Sequence, residues 1–126
     1  MKKILVVDDD PEMVDLVKAR LEAGSYQVLT AFDGVEAIQK AQQYLPDLIL
    51  MDIIMPQMLG GDAVKILQKD NLTKRIPVIF LTVVSADSSQ DGEDQEININ
   101  GKFFPSIPKP FGLEQLLLRV RGLIGN

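Results

Sequence analysis

The sequence predicts an α/β domain built around a parallel β-sheet. Short, continuous apolar runs recur along the chain, at Ile4-Leu5-Val6-Val7, Leu48-Ile49-Leu50-Met51 and Ile76 to Leu81. Runs of that length read as strands buried on both faces, the pattern of a parallel sheet. Between them lie segments with apolar residues at helical spacing. Strands that alternate with helices close as a layered α/β sheet. At 126 residues, with no internal repeat and no linker, the chain is expected to form one domain over 1–126.

The elements follow in order. Ile4 to Val7 is a strand that runs into Asp8-Asp9-Asp10. Asp10 is placed as a helix N-cap with Pro11 at the first helical position. Met13, Leu16, Val17 and Leu21 form the apolar stripe of that helix, and Gly24 ends it. Tyr26 to Ala31 is the next strand. Asp33-Gly34-Val35-Glu36 has the form of a capping box, and Ala37, Ile38, Ala41 and Leu45 continue the helix to Pro46. The strand ending at Asp52 follows, and Pro56 stops it. Gly60-Gly61 opens a helix carrying Ala63, Val64, Ile66 and Leu67.

Ile76 to Thr82 is the fourth apolar run. Ser85 to Gly92 is rich in residues that favour turns, with a short helix considered over Gln90–Ile97. Lys102 to Ile107 reads as a further strand. Pro105 and Pro108 lack ladder donors, so this strand is expected at a sheet edge. Leu113, Leu116, Leu117, Val120 and Ile124 give the cleanest helical stripe in the chain.

Composition excludes several function classes. The net charge of -5 argues against a nucleic-acid surface. It is concentrated in 83–101, where Asp87, Asp91, Glu93, Asp94 and Glu96 stand without a Lys or Arg; elsewhere acids and bases balance. There is no apolar run of membrane-spanning length and no secretory leader, which points to the cytoplasm rather than a membrane. Zero Cys removes disulfides and thiolate metal sites. Zero His removes the usual general base, the imidazole ligand and any phosphohistidine on this chain.

Polar groups then gather at the strand ends: Asp8 and Asp9, Asp52, Thr82 and Lys109. In a parallel sheet these ends share one edge, the usual location of ligand chemistry. Clustered carboxylates repel, which raises a pKa or recruits a cation. Hard oxygen donors without His or Cys suit Mg²⁺. Acids, a divalent ion, a hydroxyl and an ammonium suit a phosphoryl group placed on a carboxylate, with an Asp oxygen as in-line nucleophile.

The ordered set Val7-Asp8-Asp9-Asp10, Met51-Asp52-Ile53-Ile54-Met55-Pro56 with Gly60, Leu81-Thr82 and Lys109-Pro110-Phe111 resembles the response regulator receiver domain of two-component signalling. The resemblance covers nearly the whole chain. It implies a doubly wound, flavodoxin-like, five-stranded parallel sheet of order 2-1-3-4-5; the 126 residues are expected to carry a receiver with no output domain of its own. It implies that Asp52 is phosphorylated and that Asp9 ligates Mg²⁺. Asp8 helps hold the metal largely through water, and the Ile54 carbonyl is a further ligand. Thr82 would bond the phosphoryl oxygen, and Lys109 would pair with Asp52 and then with the phosphoryl group. The Lys109-Pro110 bond is expected to be cis. The donor is a histidine kinase or phosphotransfer protein, and the output is contact with a downstream protein. Such a chain assists its own phosphoryl transfer but is not a turnover enzyme.

Departures from the family pattern are also legible. Ser106 stands three residues before Lys109, where receivers usually carry an aromatic; Phe103 or Phe104 is the candidate substitute. The segment 83–101 is longer than usual and expected to be atypical. Val83 replaces a small residue beside Thr82. Ile54 and Val84 are apolar where many receivers carry polar groups, so the phosphoryl-aspartate is expected to be long-lived. These departures motivate an alternative, a pseudo-receiver acting as a phosphorylation-independent interaction module. An aspartyl-phosphate phosphatase would want an acid at Ile54. A flavin module would want an anion loop where Asp8-Asp9-Asp10 repels phosphate.

Overall fold

The computed structural model describes residues 1–83 and 96–126, with the backbone alone for Val83. Its elements are β1 (Lys3–Val7), α1 (Pro11–Ala23), β2 (Gln27–Ala31), α2 (Gly34–Tyr44), β3 (Leu48–Asp52), α3 (Gly60–Lys69), β4 (Val78–Val83), β5 (Glu96–Ile99), β6 (Lys102–Lys109) and α4 (Leu113–Ile124). They form one sheet of order β2-β1-β3-β4-β6-β5. All neighbours are parallel except β5 and β6.

The apolar runs are buried on both faces, as continuous hydrophobic strands require. Ile4, Val6, Leu48 and Leu50 pack under α1 and α4, against Val14, Val17, Leu21, Leu116, Leu117 and Val120. Their alternates Leu5, Val7, Ile49 and Met51 pack under α2 and α3, against Ala37, Ala41, Ala63, Val64 and Leu67. The period of two along each strand thus feeds two cores from one run.

The helix starts match the sequence signals. The Asp10 carboxylate accepts from the Glu12 amide, with Pro11 first in α1. Asp33 accepts from the Glu36 amide at 2.8 Å, while the Glu36 carboxylate accepts from the Phe32 amide at 2.8 Å. The box therefore closes one residue upstream of its usual partner.

The sheet has one more strand than the five expected. Ile97-Asn98-Ile99 pairs antiparallel with Lys102 to Phe104. The connection is the two-residue turn Asn100-Gly101, both at positive φ (52° and 89°). That is the conformation Asn-Gly favours in tight hairpins. The helix considered over Gln90–Ile97 is overturned at its end, where Glu96 and Ile97 are strand. Its remainder, Ser85 to Gly92, Val84 and the side chain of Val83 lie outside the described residues.

The edge position expected for the proline-bearing strand is also overturned. β6 lies between β4 and β5. It tolerates its prolines because the two ladders use different halves: Lys102–Pro105 pairs with β5, and Ser106–Lys109 with β4. Neither proline sits in a stretch paired on both sides, so each removes a donor where one side of the strand is open.

Gly60 fixes the loop that leaves the sheet after Asp52. Its amide donates to the Ile53 carbonyl at 2.8 Å. A methyl group at this position would lie 2.2 Å from the Asp52 carbonyl oxygen and 2.9 Å from the Met51 side chain. The first turn of α3 thus rests directly on the backbone of the Asp52 strand. Gly60→Ala is expected to destabilise the chain by about 2 kcal/mol or more, since a rigid backbone oxygen must move. Urea unfolding followed by circular dichroism checks this, and an unchanged midpoint contradicts the close approach.

Candidate functional site

β1, β3, β4 and β6 run the same way, so their carboxyl ends meet along one edge. Register brings the polar residues level there: Val7 pairs with Met51, Asp52 with Leu81, and Thr82 with Pro108. Asp8 follows β1 directly, Asp52 ends β3, and Lys109 ends β6. All the sequence-predicted side chains except Ile54 reach this edge as strand termini or the residues beside them.

The acids converge. Asp8, Asp9 and Asp52 each offer a carboxylate oxygen, and these oxygens lie within 4.8 Å of one another. Asp8 and Asp52 are 1% and 5% exposed, while Asp9 is open to solvent. The Lys109 ammonium donates to Asp8 Oδ2 at 2.8 Å and lies 3.3 Å from Asp52 Oδ1. Asp8 Oδ1 accepts from the Asp10 amide at 3.0 Å, a contact that the sequence reading of Asp10 as a cap did not include. The Lys109-Pro110 peptide is cis, as expected.

These contacts set the electrostatics. Burial pushes the Asp52 carboxyl above its usual range, and the neighbouring Asp8 and Asp9 charges push the same way, against the pull of Lys109. For Lys109, burial pulls the ammonium down. Its bonds and charge contacts with Asp8 and Asp52 outweigh that, and its pKa ends above the ordinary value. One ammonium serves two buried carboxylates with a third acid beside them, so the cluster keeps an excess of negative charge.

That donor set fits a hard divalent cation. Three carboxylates converge, no nitrogen or sulfur ligand competes, and Asp9 faces solvent where a hydrated ion arrives. Ile54 sits in the loop between β3 and α3, two residues past Asp52, with its side chain 65% exposed. Thr82 is half-buried at the end of β4.

Ser106 and Phe104 separate cleanly. Ser106 is buried and pairs in register with Phe80. Phe104 is buried on the α3 side of the sheet and meets the Phe80 ring edge-on, with centroids 5.9 Å apart at 89°. Phe103 is largely exposed.

Among the described residues, no helix is long and apolar enough to cross a membrane. The chain matches the family model described as the response regulator receiver domain over residues 4–121. It is 36% identical to the DNA-binding dual master transcriptional regulator RpaA of Synechocystis, over 98% of this chain and 49% of that protein. It is 38% identical to the response regulator PleD of Caulobacter vibrioides, over 96% of this chain and 26% of that protein. The chain thus spans about half or less of these curated relatives. Among solved structures, the chemotaxis response regulator CheY4 of Vibrio cholerae superposes with a TM-score of 0.81 at 33% identity, covering 98% of both chains. The receiver domain of the sensor histidine kinase PA1611 of Pseudomonas aeruginosa, a structure with magnesium coordinated in its active-site cleft, gives 0.80 at 26% identity, covering 99% of this chain and 98% of that one. The fold agrees with these matches, and the chain belongs to the response regulator receiver family of two-component systems.

Proposed function

We propose that Asp52 accepts a phosphoryl group from the phosphohistidine of a histidine kinase or phosphotransfer protein, in a Mg²⁺-dependent reaction in the cytoplasm. The domain then signals by conformational change and contact with a downstream protein. The observation that carries this reading is the Lys109 ammonium reaching Asp8 and Asp52 together, beside the open carboxylate of Asp9. Receiver domains bind Mg²⁺ at an acidic pocket and are signalling domains rather than turnover enzymes.

The chain has no His, so the donor imidazole comes from the partner. An Asp52 carboxylate oxygen attacks the phosphorus in line. The new P–O bond forms as the P–N bond of the phosphohistidine breaks, and the leaving imidazole takes up a proton from solvent. Asp9 and Asp52, with the Ile54 carbonyl and Asp8 through water, are the residues that would hold Mg²⁺, whose charge offsets that of the phosphoryl oxygens. Lys109 exchanges its contact with the Asp52 oxygen for one with the phosphoryl group. Thr82 donates its hydroxyl to another phosphoryl oxygen, which gives the charged state a reporter on β4.

Three outcomes test the proposal. Acetyl phosphate or beryllofluoride with Mg²⁺ is expected to modify wild type at Asp52, read by peptide mass spectrometry, and to leave Asp52→Asn and chelator-treated protein unmodified. An unmodified Asp52 in the presence of Mg²⁺ would favour the phosphorylation-independent interaction module instead.

The second outcome concerns stability. The folded pKa of Asp52 lies above its unfolded value, so between the two the folded chain binds more protons. The stability this group contributes therefore falls as pH rises through the folded pKa, and its cost is carried in full above it. Asp52→Asn is expected to raise the metal-free melting midpoint near pH 7 by a few degrees, on the order of 1 kcal/mol. The gain should shrink as the pH approaches about 4. Saturating Mg²⁺ should raise the wild-type midpoint and raise that of Asp52→Asn much less. An equal or lower midpoint for Asp52→Asn at neutral pH contradicts the strained carboxylate.

The third outcome follows from the apolar, exposed side chain of Ile54, which offers no group to orient an attacking water. Loaded Asp52 should lose its phosphoryl group slowly, and Ile54→Asn should speed the loss. Equal decay of the two proteins rejects this role for position 54.

A further inference from the structure

We propose that Asp10 is a positioning residue for phosphoryl transfer, a role that rests on the receiver reading of the site. Asp10 is exposed, and among the described residues Asp8, Asp9 and Asp52 make up the carboxylate group that converges on the metal position. Its contribution is geometric. As the N-cap of α1 it holds the first turn from two directions: its Oδ1 accepts from the Glu12 amide at 3.0 Å, and its carbonyl accepts from the Val14 amide at 3.1 Å. These bonds hold the side chain and carbonyl of Asp10, and so its Cα, in place, with Pro11 setting φ immediately after it.

The Asp10 amide, on the peptide that enters this held residue, donates to Asp8 Oδ1, 3.0 Å away. Asp8 Oδ2 is then the oxygen left to accept from the Lys109 ammonium at 2.8 Å, and the same ammonium stands 3.3 Å from Asp52 Oδ1. A line of four contacts therefore joins the helix cap to the phosphoacceptor. They are the Glu12 amide with Asp10, the Asp10 amide with Asp8, Asp8 with Lys109, and Lys109 with Asp52. Asp8 is nearly fully buried, so an Asp10 amide that turns away leaves Asp8 Oδ1 without its donor at a cost in free energy. Loss of the cap frees the Asp10 peptide, lets the Asp8 carboxylate rotate and moves the lysine off the reacting oxygen.

The competing explanation is charge: a third consecutive acid that strengthens the field on the metal. The two separate by substitution. Asn and Ser cap a helix about as well as Asp but carry no charge, whereas Ala does not cap. The proposal expects Asp10→Ala to lower the initial rate of Mg²⁺-dependent Asp52 labelling by acetyl phosphate about threefold or more, by misplacing Lys109. It expects Asp10→Asn and Asp10→Ser to keep the wild-type rate within about twofold. Hydrogen exchange at the residue 10 amide is read in parallel by NMR. Protection should persist in wild type, Asn and Ser and be lost in Ala. Circular dichroism at the assay temperature confirms that each variant is folded.

A wild-type rate and a protected amide in Asp10→Ala overturn the proposal. So does a loss of rate in Asn and Ser that matches the loss in Ala, because charge is then the active property. Failure of the receiver reading has a different signature: wild type takes no label, while the amide protection still follows the cap.

Discussion

The shared contact of Lys109 with Asp8 and Asp52 is the constraint on which the rim of the sheet depends. Two carboxylates are buried there, and burying an unpaired charge costs several kcal/mol. One ammonium offsets part of that cost for both. It can do so only if β1, β3 and β6 end at the same level, because Asp8, Asp52 and Lys109 sit at those three ends. The order β1-β3-β4-β6 and its register are therefore needed for the charge cluster as well as for the core. The raised carboxyl of Asp52 and the raised ammonium of Lys109 are two expressions of one arrangement. The arrangement is costly for the chain alone and favourable once positive charge arrives.

Most of this was legible because the strands are simple. Ile4 to Val7 and Leu48 to Met51 are buried on both faces, so their apolar runs have no polar interruptions, and the first polar residue after each marks the sheet edge. The end of a buried strand is the one place where a side chain can be both fixed by the sheet and open to a ligand. Asp8, Asp52 and Thr82 could thus be placed from local pattern alone. Lys109 is different, since its local signal is only the pair of prolines, Pro108 and Pro110, that fix its backbone. Its place depends on β6 lying beside β4, which is a tertiary fact. The link from Asp10 to Asp8 was hidden for a related reason: it runs through a backbone amide, and sequence carries no record of where an amide points.

The β5–β6 hairpin shows where reading from local pattern stops. Its signal was present in Ile97-Asn98-Ile99 followed by Asn100-Gly101, an alternation ending in the dipeptide that suits a tight turn. Two features obscured it. The segment before it is dense in Asp, Glu, Gly and Ser, and the strand after it carries two prolines. The prolines count against a strand paired along its whole length. They do not count against a strand whose two neighbours each take half of it. β5 also depends on contacts that are remote in sequence: Ile97 and Ile99 pack into the core that α3 and Phe104 share. A four-residue strand has little stability of its own, and here the apolar face of the sheet supplies it.

This packing also decides what Phe104 can do. It lies on the same face of β6 as Ser106, two residues further from the site, and its ring stands edge-on to Phe80. The Lys102 ammonium lies 5.3 Å from the ring centroid, so the ring is engaged on that side as well. Vacating such a position has the cost of a core cavity, roughly 3–5 kcal/mol for a phenylalanine. A side chain that reports phosphorylation by changing rotamer needs two positions of similar energy, and Phe104 has one deep position. Phe103 has the freedom but points to the opposite face, away from Phe80 and from the face shared with Thr82. Ser106, at the position where an aromatic would sit, has too little volume to sweep between sites. Phe104 is therefore a packing residue.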